Sequence, residues 1–230
     1  MQKIAEYTKK RNAIAEQKNK NFKMTNELVL MVRKQYNNIL FGGQGSGKTI
    51  LLLEMIIAYQ ESNPEKRQLL ILPDDSEEKF DGVEEISINE VIKFEGIKKI
   101  IVNDLQIFDY LYKWFVDSKN RKFKGQIIMD DAGVLLDRRN ENVLNFMRRR
   151  RQANADIITV FHGLRNELPP SFFAYTNKIV LFQTGDTPKE MMKLLPPIKQ
   201  EAFLEVYDRV QREAEVNPYY KEEFILRDIK

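Results

Sequence analysis

Short, largely apolar runs recur along the chain, and most are followed by a turn and then by an amphipathic or wholly apolar stretch. Tyr36–Phe41, Gln68–Leu72, Lys98–Val102, Gln126–Met129, Ala155–Phe161 and Lys178–Phe182 read as strands, too short for helices and rich in Ile, Leu and Val. Between them, Ile50–Tyr59 is apolar nearly all round, which predicts a helix buried between the sheet and a second layer, stopped at Asn63-Pro64. Leu105, Phe108, Leu111, Tyr112 and Phe115 keep a helical spacing after a capping Asp104, with Trp114 off the stripe and half-buried. Thr187-Pro188-Lys189-Glu190 combines an N-cap, a first-turn proline and a capping-box glutamate for a short helix ending at Pro196-Pro197. Gln200–Ala214 is amphipathic through Phe203, Val206, Tyr207 and Val210, and Phe224–Leu226 adds a last strand. Continuous apolar strands alternating with helices predict an α/β fold, a mainly parallel sheet flanked by helices.

Outside this alternation the pattern weakens. Residues Met1–Lys20 are polar and basic, and read as a loose helix or mobile arm; Leu28–Val32 is an apolar run open to either helix or strand. The acidic stretch to Glu95 reads as an edge excursion with a short helix near Asn89. The chain divides into a basic N-terminal arm over 1–25, a core over 26–198, and a C-terminal helix and tail over 199–230 packed on that core.

Gly42-Gly43-Gln44-Gly45-Ser46-Gly47-Lys48-Thr49 sits where the first strand becomes the first helix. It satisfies the glycine, any four residues, Gly-Lys-Ser/Thr pattern of a phosphate-binding loop. A glycine-rich turn could match by coincidence, but the strand before and the helix after supply the required context. In such a loop, backbone N–H groups and a helix N-terminus face the phosphates. Lys48 then reaches the β- and γ-phosphates of ATP, and the Thr49 hydroxyl helps to hold Mg²⁺.

Asp130-Asp131 ends the strand Gln126–Met129, at the strand terminus where parallel sheets bind ligands. Asp130 is the candidate Mg²⁺ ligand and Asp131 the candidate group that polarises the attacking water; the alternative is a paired-acid turn. His162, the only histidine, ends Ala155–Phe161 and is a candidate γ-phosphate sensor. Four consecutive arginines, Arg148, Arg149, Arg150 and Arg151, would point around most of a helix. They are candidates for a finger acting on a neighbour's nucleotide, for contacts to nucleic-acid phosphates, or for solvated surface charge. Arg138 and Arg139 compete for the finger role.

The net charge of +3 conceals an uneven distribution: seven Lys or Arg against two Glu over Met1–Met24, nine acids against two lysines over Asp74–Glu95, and six arginines against one Glu over Arg138–Arg151. A polyanion therefore finds basic patches that the total hides. With no cysteine, disulfides and thiolate metal sites are excluded. No apolar run approaches the ~20 residues of a membrane helix, and the lysine-bearing N-terminus lacks a signal-peptide core, which fits a cytoplasmic protein.

Taken together, Gly42–Thr49, Ile127–Asp131, Arg148–Arg151 and Asp156–His162 resemble the FtsK/HerA lineage of P-loop ATPases, of the RecA-like kind. The likeness is strongest to small viral genome-packaging ATPases and to Zot-like phage assembly proteins. Leu168-Pro169-Pro170 followed by Lys178–Phe182 is similar to the lineage's proline-bearing turn and returning strand. His162 stands where the lineage usually has Gln, and Asp131 where it usually has Glu. The resemblance implies an ATPase acting as a homo-oligomeric ring of five or six subunits, with ATP at subunit interfaces and DNA, double-stranded in the packaging case, in a central channel. A capsid or portal-vertex protein would then be a partner, and the motor would work in the host cytoplasm or on the virion. Two other functions fit the motifs: a Zot-like ATPase for filamentous phage assembly or export, which would usually carry a membrane helix, and a non-motor regulatory ATPase.

Overall fold

The computed structural model describes residues 36–73, 78–102, 106–117, 122–135, 141–163 and 173–227. The N-terminal arm, the run Leu28–Val32, Asp104 and Leu105, Arg138 and Arg139, and Leu168-Pro169-Pro170 lie outside the described residues.

Seven strands form one sheet: β1 (Asn37–Phe41), β2 (Arg67–Leu72), β3 (Ile97–Ile101), β4 (Gly125–Met129), β5 (Ala155–Phe161), β6 (Lys178–Phe182) and β7 (Lys221–Ile225). Their order is β3-β2-β4-β5-β1-β6-β7. The first six are parallel, and β7 runs antiparallel to β6. The helices are α1 (Lys48–Ser62), α2 (Gln106–Tyr112), α3 (Ala132–Leu135), α4 (Glu141–Ala153), α5 (Pro188–Met192) and α6 (Pro197–Ala214).

The continuous apolar strands are explained by burial on both faces. Leu40, Leu70, Ile128, Ile158 and Val180 face one layer together with Leu52, Met55, Ile56 and Tyr59 of α1. Ile39, Leu69, Ile127, Ile157 and Ile179 face the other, where Phe108 and Leu111 of α2, Phe146 and Met147 of α4, and Phe203 and Val210 of α6 pack. Successive strand residues point to opposite faces, so a strand clothed on both sides must be apolar at every position. The second layer expected over α1 includes the acidic excursion, which sets Phe80 and Val83 into the same cluster. There a 3₁₀ turn, Ile88–Ile92, is fastened by the Glu90 carboxylate, which accepts from both the N–H and the hydroxyl of Ser87 at 2.7 Å.

Three local expectations are revised. Thr187 occupies the N-cap of α5 with Pro188 behind it, but its side chain makes no cap hydrogen bond, so the capping box does not form. The helix α6 starts three residues early, because Pro197 fits a first helical turn that needs no N–H. Lys221–Ile225 forms a longer last strand than Phe224–Leu226, and β7 is antiparallel because the short turn Asn217–Tyr220 returns α6 directly to the sheet. Trp114 is partly buried, with its ring 5.1 Å from that of Tyr110.

At the edge where the parallel strands begin, a buried polar cluster ties β1, β5 and the β6 lead-in together. Asp156 Oδ1 accepts from the Tyr36 N–H at 2.7 Å, and Asp156 Oδ2 accepts from the Tyr59 hydroxyl at 3.4 Å. Asn177 Oδ1 accepts from the Asn37 N–H at 3.0 Å and from Arg150 Nη2 at 2.9 Å. Burial pushes the Asp156 carboxyl up to about 6, against the opposing pull of the Tyr36 hydrogen bond and the nearby Lys66, Tyr59 and Arg150.

A carboxyl whose folded pKa lies above its unfolded value binds more protons when folded, so its contribution to stability falls as pH rises from about 4 through 6 and stays lost above that. Asp156→Asn keeps an acceptor for the Tyr36 N–H without the charge. Urea unfolding of both proteins at pH 4.5 and 7.5 is expected to show the variant gaining on the wild type at the higher pH, by on the order of 2 kcal/mol. A difference independent of pH would refute the raised carboxyl.

Candidate functional site

Strand order assembles the site. Because β5 lies between β1 and β4, and β1 pairs with both β5 and β6, the carboxyl ends of β4, β5 and β1 stand side by side. In register, Phe41 pairs with Phe161 and Met129 with Thr159. Gly42 and His162 therefore leave their strands at the same level, with Asp130 two residues lower. Two inter-strand spacings, about 10 Å, separate the loop from Asp130, with His162 in the gap. That is a suitable width for phosphate oxygens and a cation together.

The loop is held from both neighbouring strands, β5 and β6. The Gly43 N–H donates to the Gln183 carbonyl at 2.7 Å, and the Gly42 N–H to the Phe161 carbonyl at 3.3 Å. A Cβ on Gly42 would lie 2.5 Å from Phe182 Cβ and 3.0 Å from the Gln183 oxygen, so only glycine lets the loop approach β6 this closely. Gln44 and Gly45 form its exposed tip. Ser46 is buried, and its hydroxyl donates to the Gly43 carbonyl at 2.8 Å. Gly47, at φ +96°, caps α1 in a left-handed conformation that an L side chain resists. Lys48 and Thr49 occupy the first turn of α1.

Lys48 is almost wholly buried, and its Nζ donates to the carbonyls of Gly42 at 2.7 Å and Gly43 at 2.6 Å. A buried ammonium must be paired, and here its own loop carbonyls are acceptors, so the cation is already seated at the strand edge that the loop encloses.

Asp130 is buried at the end of β4, and its Oδ1 accepts from the Asp131 N–H at 3.0 Å. Asp131 is half-buried with φ +45°, a left-handed geometry that Asp tolerates better than most residues, and it turns the chain directly into α3. Thr49 and Asp130 offer a hydroxyl and a carboxylate, hard oxygen donors that suit Mg²⁺ completed by water and phosphate oxygens. Among the described residues no three His, Cys, Asp or Glu side chains gather into a metal site.

The arginine run lies elsewhere. The helix α4 delivers the chain through Asn154 to the start of β5, so Arg148–Arg151 sit toward the edge where strands begin, roughly the 20 Å length of a strand from the loop. The four also divide. Arg150 is buried, donating to the Met147 carbonyl at 3.0 Å and to Asn177. Burial first, then the charge of Arg151, lowers it to about 10, still a cation at neutral pH. The expectation that Arg150 acts as a finger is therefore corrected: its guanidinium is spent inside the fold. Arg148, Arg149 and Arg151 are exposed; Arg148 donates to the Tyr175 hydroxyl and lies over that ring, and Arg149 lies over Tyr112.

Sequence reasoning missed the third wall of the site. Gln183–Asp186 follows β6 along the loop, and the Asp186 carboxylate comes within 3.5 Å of where a Cβ on Gly163 would lie, one residue after His162. Thr184 Oγ1 donates to Asp186 Oδ2 at 3.1 Å, and the Tyr207 hydroxyl holds the Asp186 carbonyl at 2.7 Å. A polar, glycine-bearing turn after a parallel strand was the available signal.

Residues 20–172 match the family described as Poxvirus A32 protein. The chain belongs to that family. Comparison with curated protein sequences returns no match. Among solved structures, the genome packaging NTPase B204 of Sulfolobus turreted icosahedral virus 2 superposes with a TM-score of 0.65 in its ATP-gammaS complex, at 14% identity, over 84% of this chain and 93% of that one. Its AMP complex gives 0.63 at 16% identity over the same shares. The cytoplasmic domain of the type VII secretion ATPase EccC of Thermomonospora curvata gives 0.54 at 14% identity, over 84% of this chain and 24% of that one. At such identities these likenesses are of fold, and the fold is that of a P-loop NTPase, as the A32-family chain's own sheet order and loop require.

Two stability outcomes follow from the packing. Gly42→Ala is expected to cost about 1–3 kcal/mol in urea unfolding, since backbone and a Cβ, not a pliable side-chain end, oppose the added methyl; an unchanged midpoint would contradict the close approach. Arg150→Ala is expected to cost roughly 2–4 kcal/mol, whereas Arg151→Ala stays within about 0.5 kcal/mol. Equal losses at the two positions would contradict the division of the run.

Proposed function

We propose that this A32-family chain is an ATP-hydrolysing motor that moves double-stranded DNA into a viral capsid. The observation that carries the proposal is the convergence of Gly42–Thr49, Asp130, Asp131 and His162 on one edge of a P-loop NTPase sheet, in a chain whose family and fold neighbours include a viral packaging NTPase. Neither a phage-export nor a regulatory role has an observation of its own in its favour.

In the proposed mechanism the N–H groups at the start of α1 receive the phosphates, and Lys48 exchanges its Gly42 and Gly43 carbonyl partners for β- and γ-oxygens. Thr49 and Asp130 would hold Mg²⁺, which when bound neutralises charge building on the transferred phosphoryl group. Asp131 orients the attacking water. His162, in the gap between loop and acid, reads the γ-phosphate and passes its loss to Gly163 and the adjoining Asp186 turn. Arg148, Arg149 and Arg151 are proposed to meet DNA phosphates or a neighbouring subunit in a homo-oligomeric ring, with segment 1–25 as a second basic contact. Among the described residues no helix is long and apolar enough to cross a membrane.

Phosphate-release assays test the site. Lys48→Ala and Asp130→Asn are each expected to lower turnover at least about 100-fold with an unchanged circular dichroism spectrum; wild-type hydrolysis by either variant removes the assignment. For the wild type, double-stranded DNA at low salt is expected to raise turnover. Indifference to DNA together with failure to form rings with nucleotide would end the motor reading.

A further inference from the structure

The antiparallel β7 brings its lead-in turn, Asn217–Tyr220, to the same sheet edge as the phosphate loop, because Lys221 pairs with Phe182 at the end of β6. Tyr219 lies there against Gly47: a Cβ on that glycine would meet Tyr219 Cδ1 at 3.0 Å and its Cε1 at 3.8 Å. Tyr219 is nevertheless 51% exposed, in a fold that buries most of its large side chains. Its turn is firmly held. The Tyr219 N–H donates to Asn217 Oδ1 at 3.2 Å, and the Tyr220 N–H to the Asn217 carbonyl at 2.8 Å. The Tyr220 hydroxyl donates to Glu222 Oε1 at 2.7 Å, and Arg209 grips the same carboxylate through Nε and Nη2.

Strand order gives the site a direction. Asp130, Asp131 and His162 stand on the β4 and β5 side of the loop, and Tyr219 stands on the β6 and β7 side. A nucleoside triphosphate whose γ-phosphate faces the acids must send its ribose and base the other way, past the start of α1. We infer that Tyr219 is the platform on which the nucleobase stacks, an inference that rests on Gly42–Thr49 being the phosphate site. The ring's edge against Gly47 fixes its position, and its exposed part meets the base. Stacking accepts any π-face and reads no hydrogen-bond pattern, so Tyr219 contributes affinity for nucleotides without choosing ATP over GTP.

The test compares ATP with inorganic tripolyphosphate, which offers the phosphates alone, each as its magnesium complex, bound to the whole 230-residue chain in calorimetry. Tyr219→Ala is expected to weaken ATP binding about 10-fold while leaving tripolyphosphate unchanged, and Tyr219→Phe to bind both as the wild type does. Thermal melts establish that each variant is folded. An equal loss for both ligands would assign the ring to support of Gly47 and overturn the proposal. So would unchanged ATP binding in Tyr219→Ala, with the phosphate site left intact. If the wild type binds neither ligand, the phosphate site itself fails and the base platform with it.

Discussion

The parallel hydrogen-bond ladder that sets β5 between β1 and β4 is the constraint on which the rest depends. Without that insertion, the loop after β1 and the acid after β4 would be neighbours at one strand spacing, too close to hold a phosphate chain and a cation between them. With it, they face each other across about 10 Å, and the residue ending β5 stands in the middle. The fold thereby positions three candidate site segments using main-chain hydrogen bonds alone, before any side-chain interaction is considered. The side chains add local fixation: Gly42 against Phe182, Ser46 and Lys48 onto the Gly43 carbonyl, and Asp130 onto the Asp131 N–H.

Much of this was legible in the sequence because it depends on local signals. The strands carry apolar runs of the right length, and the candidate sites at their ends are placed by the rule that parallel sheets bind ligands beyond their carboxyl termini. Gly42–Thr49 combined a spacing with a context, which is why the loop could be located to the residue. What stayed hidden depends on distant pairings. Nothing in Lys221–Ile225 announces an antiparallel strand, so the arrival of Tyr219 beside Gly47 could not be read from either segment. The contact between Asp186 and the turn after His162 likewise joins residues brought together only by the β1–β5 and β1–β6 ladders.

Helix geometry explains why the arginine run misled in part. Four consecutive residues on a helix spread through about 300°, so on a helix packed against a sheet at least one must turn inward. Arg150 is that residue, and the fold accommodates its charge by surrounding it with the Met147 carbonyl and Asn177, and by placing Asp156 near enough to act on it. A sequence count of basic residues treats the four alike, whereas burial leaves three exposed and converts the fourth into a tie between α4 and the β6 lead-in.

The molecule thus has two chemically distinct poles, and the sheet keeps them apart. At the carboxyl edge, backbone N–H groups, Lys48 and the acids stand around a gap two strand spacings, about 10 Å, wide. At the amino edge, a buried cluster of Asp156, Tyr59, Asn177 and Arg150 locks the strands, while exposed arginines lie just outside it. In the proposed ring, a change in phosphate occupancy at one edge would reach the other through the strands or through a neighbouring subunit. The five inner strands are paired on both sides and buried on both faces, so they resist sliding against one another. In the proposed motor, force between the poles would therefore be better served by movement of whole subunits than by deformation within one, and the exposed arginines would then be more useful at a surface between copies, or along a polymer running past several of them, than as parts of their own subunit's pocket.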